Sequence, residues 1–377
     1  MLDAEDSRQR DLDRVLGRYP LPAVAWPGDV LVAVAAGTLI DRYRGCLLWG
    51  AVGDALGRAV ETVPPSVVRA RYGPDGPTRY QPWRGWTSGP VGTITDDTQL
   101  TMEVARRMIQ AGRRFDPEDF ARRLVAWLPV GRGKGRATSE AIGNIMRGLP
   151  WWEAGVAVNS AGNGAAMRAA PVGLAHAFRP APDRLMRDAL LSSLPTHTHR
   201  IGVAGAVVIA AGVAWCVREA ARGSQAVDVP AFLAFVTSTI DGLEDRPTEE
   251  RRAGAGSVRL VERIRELEDL LTWDDPVRVF AYTHNGAFAL ESVPAALYCF
   301  LRTPNDPREV ILTAVRAGYD ADTVASMAGN LVGAWVGGER LRAEDDHWWL
   351  ELEYRDDLTG LADRLITVAH LDSSALR

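Results

Sequence analysis

The sequence predicts an all-α fold, because helical spacing of apolar residues dominates its 377 residues and strand-like alternation is almost absent. Two segments show the helical spacing most clearly, at Leu100, Val104 and Met108 and at Val324, Met327, Leu331 and Trp335. Connectors rich in glycine and proline separate the helical segments, at residues 64–65, 73–77, 85–92, 131–135 and 160–164. Few strands are therefore expected.

The chain shows no internal repeat, no low-complexity segment and no clear interdomain linker. We therefore predict a single all-α domain over residues 40–377, since a chain of this length can bury one large core. Residues 1–39 differ in character, because a polar stretch leads into a proline-rich turn and then an apolar run at residues 30–36. We predict that they form a short N-terminal extension that packs on or near the domain, where it could cover the site entrance.

Composition narrows the class of protein. Hydrophobic residues make up 47% and charged residues 24%, which is typical of a soluble globular protein. The net charge of −5 argues against nonspecific nucleic-acid binding, which requires a basic face. We expect a monomer that does not bind membranes.

The N-terminus and the cysteines favour a cytoplasmic location. The first residues are charged and lack the apolar core of a signal peptide. Cys46, Cys216 and Cys299 have neither zinc-site spacing nor the pattern of a disulfide framework. The apolar run at residues 201–217 is just short of a bilayer span and contains glycines, so we predict a buried core helix.

Two short segments combine acids with hydroxyls ahead of predicted helices. Residues 92–100 contain Thr95, Asp96 and Asp97, and residues 318–323 contain Asp320, Asp322 and Thr323, ahead of a helix that is predicted to start near Val324. One interpretation is N-capping, for which Thr and Asp are well suited. One cap needs one residue, however, and each segment carries two acids and a threonine.

The other interpretation is a metal site. Carboxylate and hydroxyl oxygens without Cys or His suit Mg²⁺ or Mn²⁺ better than zinc. Four aspartates brought together would repel by about 4 kcal/mol per close pair at an effective dielectric of about 20, and cations would relieve that repulsion. Two ions could activate water and bind substrate oxygens. Spacing alone leaves open whether the two segments meet.

The motifs resemble, in order, those of the ADP-ribosylglycohydrolase family, which includes the hydrolase that reactivates dinitrogenase reductase. The matching blocks are residues 45–57 with Glu61, residues 95–99, residues 160–168, Thr196 with His197, and residues 320–323. The resemblance covers roughly residues 41–338. Any one block is weak evidence, but five blocks in order are highly specific.

The resemblance implies an all-α, roughly orthogonal helical fold with a binuclear Mg²⁺ or Mn²⁺ centre. The family's metal-ligand positions correspond to Thr95, Asp96, Asp97, Asp320, Asp322 and Thr323. Its substrate-binding positions correspond to Ser160, Gly162, Asn163, Gly164, Met167 and His197, with the glycine-rich segment close to the diphosphate. Glu61 matches an acid near the metal centre.

Each of these assignments has a structural alternative. The glycines at 162 and 164 can simply turn the chain, and a lone histidine at the start of an apolar helix is usually structural. Asp54 is expected to cap or brace a turn in the glycine-rich first helix. This chain departs from the family pattern at Ile94, at residues 198–200 and at residues 282–286, which we interpret as individual loops that could select the acceptor.

The sequence therefore predicts a metal-dependent ADP-ribosylhydrolase. Such an enzyme cleaves the glycosidic bond between ADP-ribose and a modified acceptor, a protein side chain or another group, and releases ADP-ribose. Asp97, Asp322 and Glu61 are the candidate proton relays. Two alternatives stay open: another two-metal phosphohydrolase, and a non-catalytic ADP-ribose-binding or crystallin-like structural protein.

Overall fold

The computed structural model describes residues 2–28, 36–84, 88–110, 112, 114–155, 161–179, 181–244, 258–344 and 346–370. Within these ranges the chain is helical apart from loops and one short ribbon, in which β1 (Trp83–Arg84) pairs antiparallel with β2 (Ser88–Gly89). The predicted all-α fold is confirmed.

The helices are, in chain order, α1 (Leu2–Leu16), α2 (Ala36–Gly57), α3 (Pro65–Tyr72), α4 (Asp96–Gln110), α5 (Pro117–Trp127), α6 (Arg136–Met146), α7 (Trp151–Ala154), α8 (Ala170–His176), α9 (Asp183–Ser193), α10 (Arg200–Ala221), α11 (Val229–Ser238), α12 (Leu260–Arg265), α13 (Leu267–Leu270), α14 (Pro276–Thr283), α15 (Ala289–Arg302), α16 (Pro307–Arg316), α17 (Ala321–Val336), α18 (Glu339–Glu344), α19 (Asp346–Leu350) and α20 (Arg355–His370). A short 3₁₀ turn, Arg58–Val60, follows α2.

The two helices predicted from apolar spacing are present as α4 and α17. The apolar residues that define each pattern are buried, as the helical period requires. Both helices begin earlier than expected: α4 starts at Asp96 and α17 at Ala321, before the predicted start near Val324. The acids of each motif therefore lie at or within the first helical turn, not ahead of it.

Helices α2 and α17 pack with their backbones almost in contact. A Cβ on Gly53 would overlap the backbone of Ala325, and a Cβ on Gly57 would lie 2.5 Å from the Cα of Asp322. Only glycine permits such a close approach. This packing carries the C-terminal end of α2 to the start of α17, where the second acidic segment lies.

Helix α10 forms the centre of the core and packs against α8, α9, α15 and α17. It has the length and apolar composition of a membrane span, but 94% of its most apolar stretch is buried inside the protein. The predicted core helix at residues 201–217 is therefore confirmed. The predicted boundary between residues 39 and 40 lies inside α2, so this helix belongs to both parts, and the division into extension and domain stays a prediction.

Candidate active site

The first turns of α4 and α17 lie side by side. Thr323 Oγ1 is 3.4 Å from Asp97 Oδ2, although the two residues are 226 positions apart in the chain. The close packing of α2 against α17 and the contacts of α2 with α4 bring these helix starts together. The structure therefore joins the two acidic segments that spacing alone left unconnected.

Asp97 has one carboxylate oxygen that is engaged and one that is not. The residue is 1% exposed. Its Oδ2 accepts a hydrogen bond from Thr95 Oγ1 at 3.0 Å and lies near the Thr323 hydroxyl. Its Oδ1 is buried without a hydrogen-bond partner among the described residues. Because buried carboxylate oxygens normally have partners, this oxygen is an acceptor that a ligand could satisfy.

Capping does not explain the acids of the two motifs. Elsewhere in the chain, aspartates accept backbone N–H groups at helix N-termini, namely Asp116 at α5, Asp228 at α11, Asp275 at α14 and Asp306 at α16. Asp320 holds the same position at α17, yet its side chain makes no capping hydrogen bond. Asp97 lies within α4, and its N–H donates to Thr95 Oγ1 at 3.3 Å. The capping interpretation therefore fails for Asp97 and Asp320.

Asp54, on α2, braces the start of α4. It is fully buried, and its two oxygens each lie 3.0 Å from the N–H of Thr95. Its Oδ2 also accepts the N–H of Thr98 at 3.1 Å and the Thr98 hydroxyl at 2.6 Å. Asp54 was expected to cap or brace a turn in the glycine-rich first helix; instead, the segment that it holds is the first acidic motif, at the start of α4.

Asp320 links the acids to the glycine-rich segment. Asn163 Nδ2 donates to Asp320 Oδ2 at 2.5 Å and to Ser292 Oγ at 3.1 Å. The backbone of the segment is held in turn, because Asn163 N–H donates to Ala287 O at 3.1 Å and Gly162 pairs with Phe288. The predicted phosphate-binding segment therefore adjoins the acids. Ser160 lies outside the described residues.

Glu61 reaches the same region from the end of α2. It follows the 3₁₀ turn and is half-buried. The next residue, Thr62, has a φ of 63° and donates its N–H to Tyr319 O at 2.6 Å. Tyr319, itself at a φ of 52°, directly precedes Asp320. Two left-handed backbone positions, rare for residues other than glycine, therefore tie the Glu61 turn to the second acidic motif.

The other two predicted metal ligands lie close by. Asp322 is buried, and its Oδ1 accepts the N–H of Thr323 at 2.9 Å. The N–H of Asp96 donates to Arg132 O at 2.8 Å. Arg132 itself forms an ion pair with Glu353 at 2.6 Å, so it braces the loop before α4 and does not extend into solvent.

Burial and mutual repulsion raise the pKa values of these acids. Burial is the largest cause for Asp96, Asp97 and Asp322, whose pKa values lie well above the ordinary range, and the charges of neighbouring acids add to it. Burial raises the pKa of Asp320 to about 6, although the Asn163 hydrogen bond acts in the opposite direction. Burial and then the Asp320 charge raise the pKa of Glu61. We call these five acids, together with Asp54, the acidic cluster; positive charge beside the cluster would favour the ionised carboxylates and lower their pKa values.

His197 lies against the glycine-rich segment. A Cβ on Gly164 would lie 2.7 Å from His197 Cε1, so a larger residue at 164 would displace the imidazole ring. The ring is 2% exposed, and burial together with the charge of Arg168 lowers its pKa to about 3. The imidazole is therefore neutral at pH 7.

Arg168 and Thr196 set the orientation of that ring. Arg168 Nη2 donates to Thr196 Oγ1 at 2.5 Å, and the same oxygen lies 2.8 Å from His197 Nδ1. Within the described residues, the only other acceptor near the Thr196 hydroxyl is Ser193 O, which is farther away at 3.4 Å. We therefore assign the hydroxyl proton to Nδ1, which leaves the ring proton on Nε2 as a donor.

Asn285 is a site residue that the sequence interpretation missed. Its carbonyl oxygen accepts the N–H of Asp320 at 2.9 Å, and its Nδ2 donates to Gly318 O at 2.5 Å. Residues 282–286 were expected to be an individual loop, whereas Asn285 is buried and holds the second acidic motif in place. The signal available in the sequence was an Asn-Gly pair just before a helix.

Arg168 and Met167, at the end of the matching block 160–168, are both buried. Arg168, the last residue of that block, is fully buried and donates a hydrogen bond to Thr196. Met167 is 4% exposed and lies within the hydrophobic core, and its carbonyl oxygen accepts the Thr101 hydroxyl at 3.3 Å. The predicted contact of Met167 with substrate stays a prediction.

A cavity of about 810 Å³ lies beside the acids but does not contain them. Its walls come from α3, α14, α15 and α16, and include Phe280, Glu291 and Arg316. Its described lining includes none of the predicted site residues, although it includes Asn285 and Tyr319, which contact or precede Asp320. Cavity size alone does not identify the chemistry, so the candidate site is the acidic cluster.

The chemistry of the acidic cluster suits a hard divalent cation. Its side-chain donors are carboxylate and hydroxyl oxygens, and Asp97 Oδ1 is an acceptor that no described group satisfies. Among the described residues, no three His, Cys, Asp or Glu side chains converge into a ready-made ion cage. An ion at this position would therefore need threonine hydroxyls and water in addition to the aspartates.

The chain is similar to proteins of one family over nearly its whole length. The family model described as ADP-ribosylglycohydrolase matches residues 35–375. An uncharacterized protein of Archaeoglobus fulgidus is 31% identical over 334 residues, which cover 86% of this chain and 96% of that protein. The ADP-ribosylhydrolase ARH3 of Bos taurus is 28% identical over 86% of this chain and 92% of its own.

A solved structure shows the same fold. It is described as an ADP-ribosylglycohydrolase-related protein complex and superposes with a TM-score of 0.63 at 30% sequence identity. The match covers 88% of this chain and 99% of the other. The similarity thus extends across the helices that carry both acidic segments.

Proposed function

The chain belongs to the ADP-ribosylglycohydrolase family, and we propose that it is a metal-dependent ADP-ribosylhydrolase. It cleaves the glycosidic bond between ADP-ribose and an acceptor, and it releases ADP-ribose. One observation carries the proposal beyond family membership: the two acidic segments meet at Asp97, whose buried Oδ1 has no hydrogen-bond partner among the described residues. The acceptor is an ADP-ribosylated protein side chain or another ADP-ribosylated group.

The proposed ion ligands come from both helix starts. They are Thr95, Asp96, Asp97, Asp320, Asp322 and Thr323, and they would hold two Mg²⁺ or Mn²⁺ ions. When bound, such ions orient ribose hydroxyls and lower the pKa of bound water. Asp54 is outside this set, because the N–H groups of Thr95 and Thr98 and the Thr98 hydroxyl already engage its oxygens.

Acids around the ribose perform the proton transfers. Cleavage at the anomeric carbon builds positive charge on the sugar, which nearby carboxylates stabilise. Glu61 is half-buried at the edge of the acidic cluster, so it can exchange protons with solvent more readily than the buried Asp97 and Asp322. We propose Glu61 as the main proton relay, with Asp97 and Asp322 as the other candidates.

The glycine-rich segment and His197 bind the diphosphate and its ribose. Ser160, Gly162, Asn163 and Gly164 offer close backbone approach, which phosphate groups require. The neutral His197 presents its Nε2 proton as a hydrogen-bond donor beside Gly164. A neutral donor binds the phosphate oxygens without adding a charge that would have to be neutralised in the free protein.

The decisive experiment is a panel of defined substrates, each carrying ADP-ribose on arginine, serine, another amino acid or a nucleic-acid base. Release of free ADP-ribose with Mg²⁺ or Mn²⁺, lost in chelator and restored by metal, is the expected result. AMP plus ribose phosphate would instead indicate a two-metal phosphohydrolase. Tight ADP-ribose binding without turnover of any substrate would indicate a non-catalytic binding protein.

A further inference from the structure

Residues 17–28, which follow α1 and which we call the N-terminal segment, contact Thr198, the residue after His197. Tyr19 is 9% exposed, and its hydroxyl donates to Thr198 O at 2.8 Å. The family match begins at residue 35, so Tyr19 lies outside it. A residue outside the family region therefore contacts the loop that carries a predicted ligand contact.

Arg200 fixes Tyr19 against this loop. The Arg200 guanidinium lies 5.6 Å from the centre of the Tyr19 ring, within the range of a cation–π interaction. Its Nη2 donates to Arg18 O at 2.5 Å, and its Nη1 donates to Leu243 O at 2.8 Å. The Tyr19 hydroxyl is therefore held in one place and can act as a fixed donor.

Thr198 is the link between His197 and α10. On one side, the N–H of His197 donates to Ser193 O at 2.8 Å. On the other, His199 caps α10 by accepting the N–H of Ile201 at 3.3 Å. Between these two anchors, Thr198 O is bound from outside by Tyr19, and its hydroxyl lies 3.4 Å from Gly155 O.

We propose that Tyr19 is a positioning residue for ADP-ribose recognition. Its hydrogen bond to Thr198 fixes the backbone that presents His197 to the ligand. The inference rests on the proposed function, because it assumes that His197 contacts ADP-ribose. It gives the N-terminal segment a defined part in the site, which the residues of the segment do not reveal by themselves.

The same segment contains a matched control, Trp26. Its Nε1 donates to a backbone carbonyl at the same distance, 2.8 Å, but the acceptor is Arg179 O, in the segment after α8. Trp26 is similarly buried at 8% exposed, and it packs against Arg218 and Phe235. Both side chains thus anchor the segment in the same way, and only one of them anchors it to the His197 loop.

The test compares Tyr19→Phe with Trp26→Phe. Tyr19→Phe should weaken ADP-ribose binding in calorimetry roughly fivefold, the effect of about one hydrogen bond. It should raise KM by a similar factor and leave kcat unchanged. Trp26→Phe should alter ADP-ribose affinity by less than about twofold. In the free protein, the His197 ring signals in NMR spectra should shift in Tyr19→Phe and stay in place in Trp26→Phe.

The other possible results contradict either the positioning role of Tyr19 or the proposed function. Wild-type affinity and unshifted His197 signals in Tyr19→Phe would overturn the positioning role. Equal losses of ADP-ribose affinity in both variants would show that Tyr19 contributes only general packing, and this result would also overturn its positioning role. If the wild-type protein does not bind ADP-ribose at all, the proposed function is wrong, and this inference falls with it.

Discussion

Asp54 and Asp97 lie in the same acidic cluster, yet the protein treats them differently. Asp54 is surrounded by donors, because the N–H groups of Thr95 and Thr98 and the Thr98 hydroxyl all point at its carboxylate. Asp97 Oδ2 accepts a hydrogen bond from the Thr95 hydroxyl, whereas its buried Oδ1 accepts none within the part of the chain that the structure describes. Both aspartates are buried, so burial does not distinguish them. The supply of donors does.

Under the proposed function, this difference distinguishes Asp54, which stabilises the fold, from Asp97, which binds a cation. A buried carboxylate that accepts several hydrogen bonds is stabilised within the protein and adds rigidity. One with an unsatisfied oxygen costs stability unless a cation or a donor completes it. We therefore expect the Asp54 position to report on stability and the Asp97 position to report on metal binding and turnover.

The largest effect is expected from Asp97→Asn. Asn keeps the size of the side chain but removes a ligand charge, so Mg²⁺ affinity and turnover should fall at least about a hundredfold. Stability in chelator should hold or rise, because repulsion among the acids decreases.

Mg²⁺ should also raise the melting temperature of the wild type. At 100 times the dissociation constant, bound Mg²⁺ adds about 2.7 kcal/mol to the free energy of unfolding.

The matched control for Asp97→Asn is Asp116→Asn, which changes an aspartate that caps α5 and has no part in the acidic cluster. It should leave turnover and Mg²⁺ affinity unchanged. Near-normal turnover in Asp97→Asn would show that Asp97 is not a metal ligand. It would also contradict the proposed difference between Asp97 and Asp54.

Asp54→Asn should act in the opposite way. An amide places hydrogen-bond donors against the N–H groups that Asp54 now accepts, so the free energy of unfolding should fall by roughly 2–3 kcal/mol. Urea denaturation in chelator measures this without any contribution from metal. If the stability of Asp54→Asn equals that of the wild type and its Mg²⁺ affinity collapses, Asp54 belongs to the ligand set.

The smallest effect is expected from Thr98→Val, which removes the 2.6 Å hydrogen bond to Asp54 and little volume. The free energy of unfolding should fall by about 1–2 kcal/mol, while Mg²⁺ affinity stays within about twofold. Thr95→Val, which removes the hydroxyl beside Asp97, should by contrast cause a clear loss of Mg²⁺ affinity. Equal effects of the two substitutions on Mg²⁺ affinity would contradict the proposed distinction between Asp54 as a stabilising residue and Asp97 as a metal ligand.

The sequence by itself determined the fold class and the pieces of the site. The helical spacing of Leu100 and Leu331 is a local property, and it predicted α4 and α17 because an amphipathic period depends only on neighbouring residues. The length and glycine content of residues 201–217 likewise predicted a core helix. The order of the motifs was enough to identify the family, and the types of side chain were enough to propose hard cations.

Tertiary structure decided which of those pieces act together. That Thr323 meets Asp97 depends on the close packing of α2 against α17, where glycines remove the side chains that would keep the backbones apart. The sequence shows the glycines but not the helix that they face. For the same reason Asn285 and Tyr19 were missed: each acts through hydrogen bonds to backbone groups far away in the chain, Asn285 to Asp320 and Gly318 and Tyr19 to Thr198. Such contacts have no periodicity, because they are made only once the helices have packed.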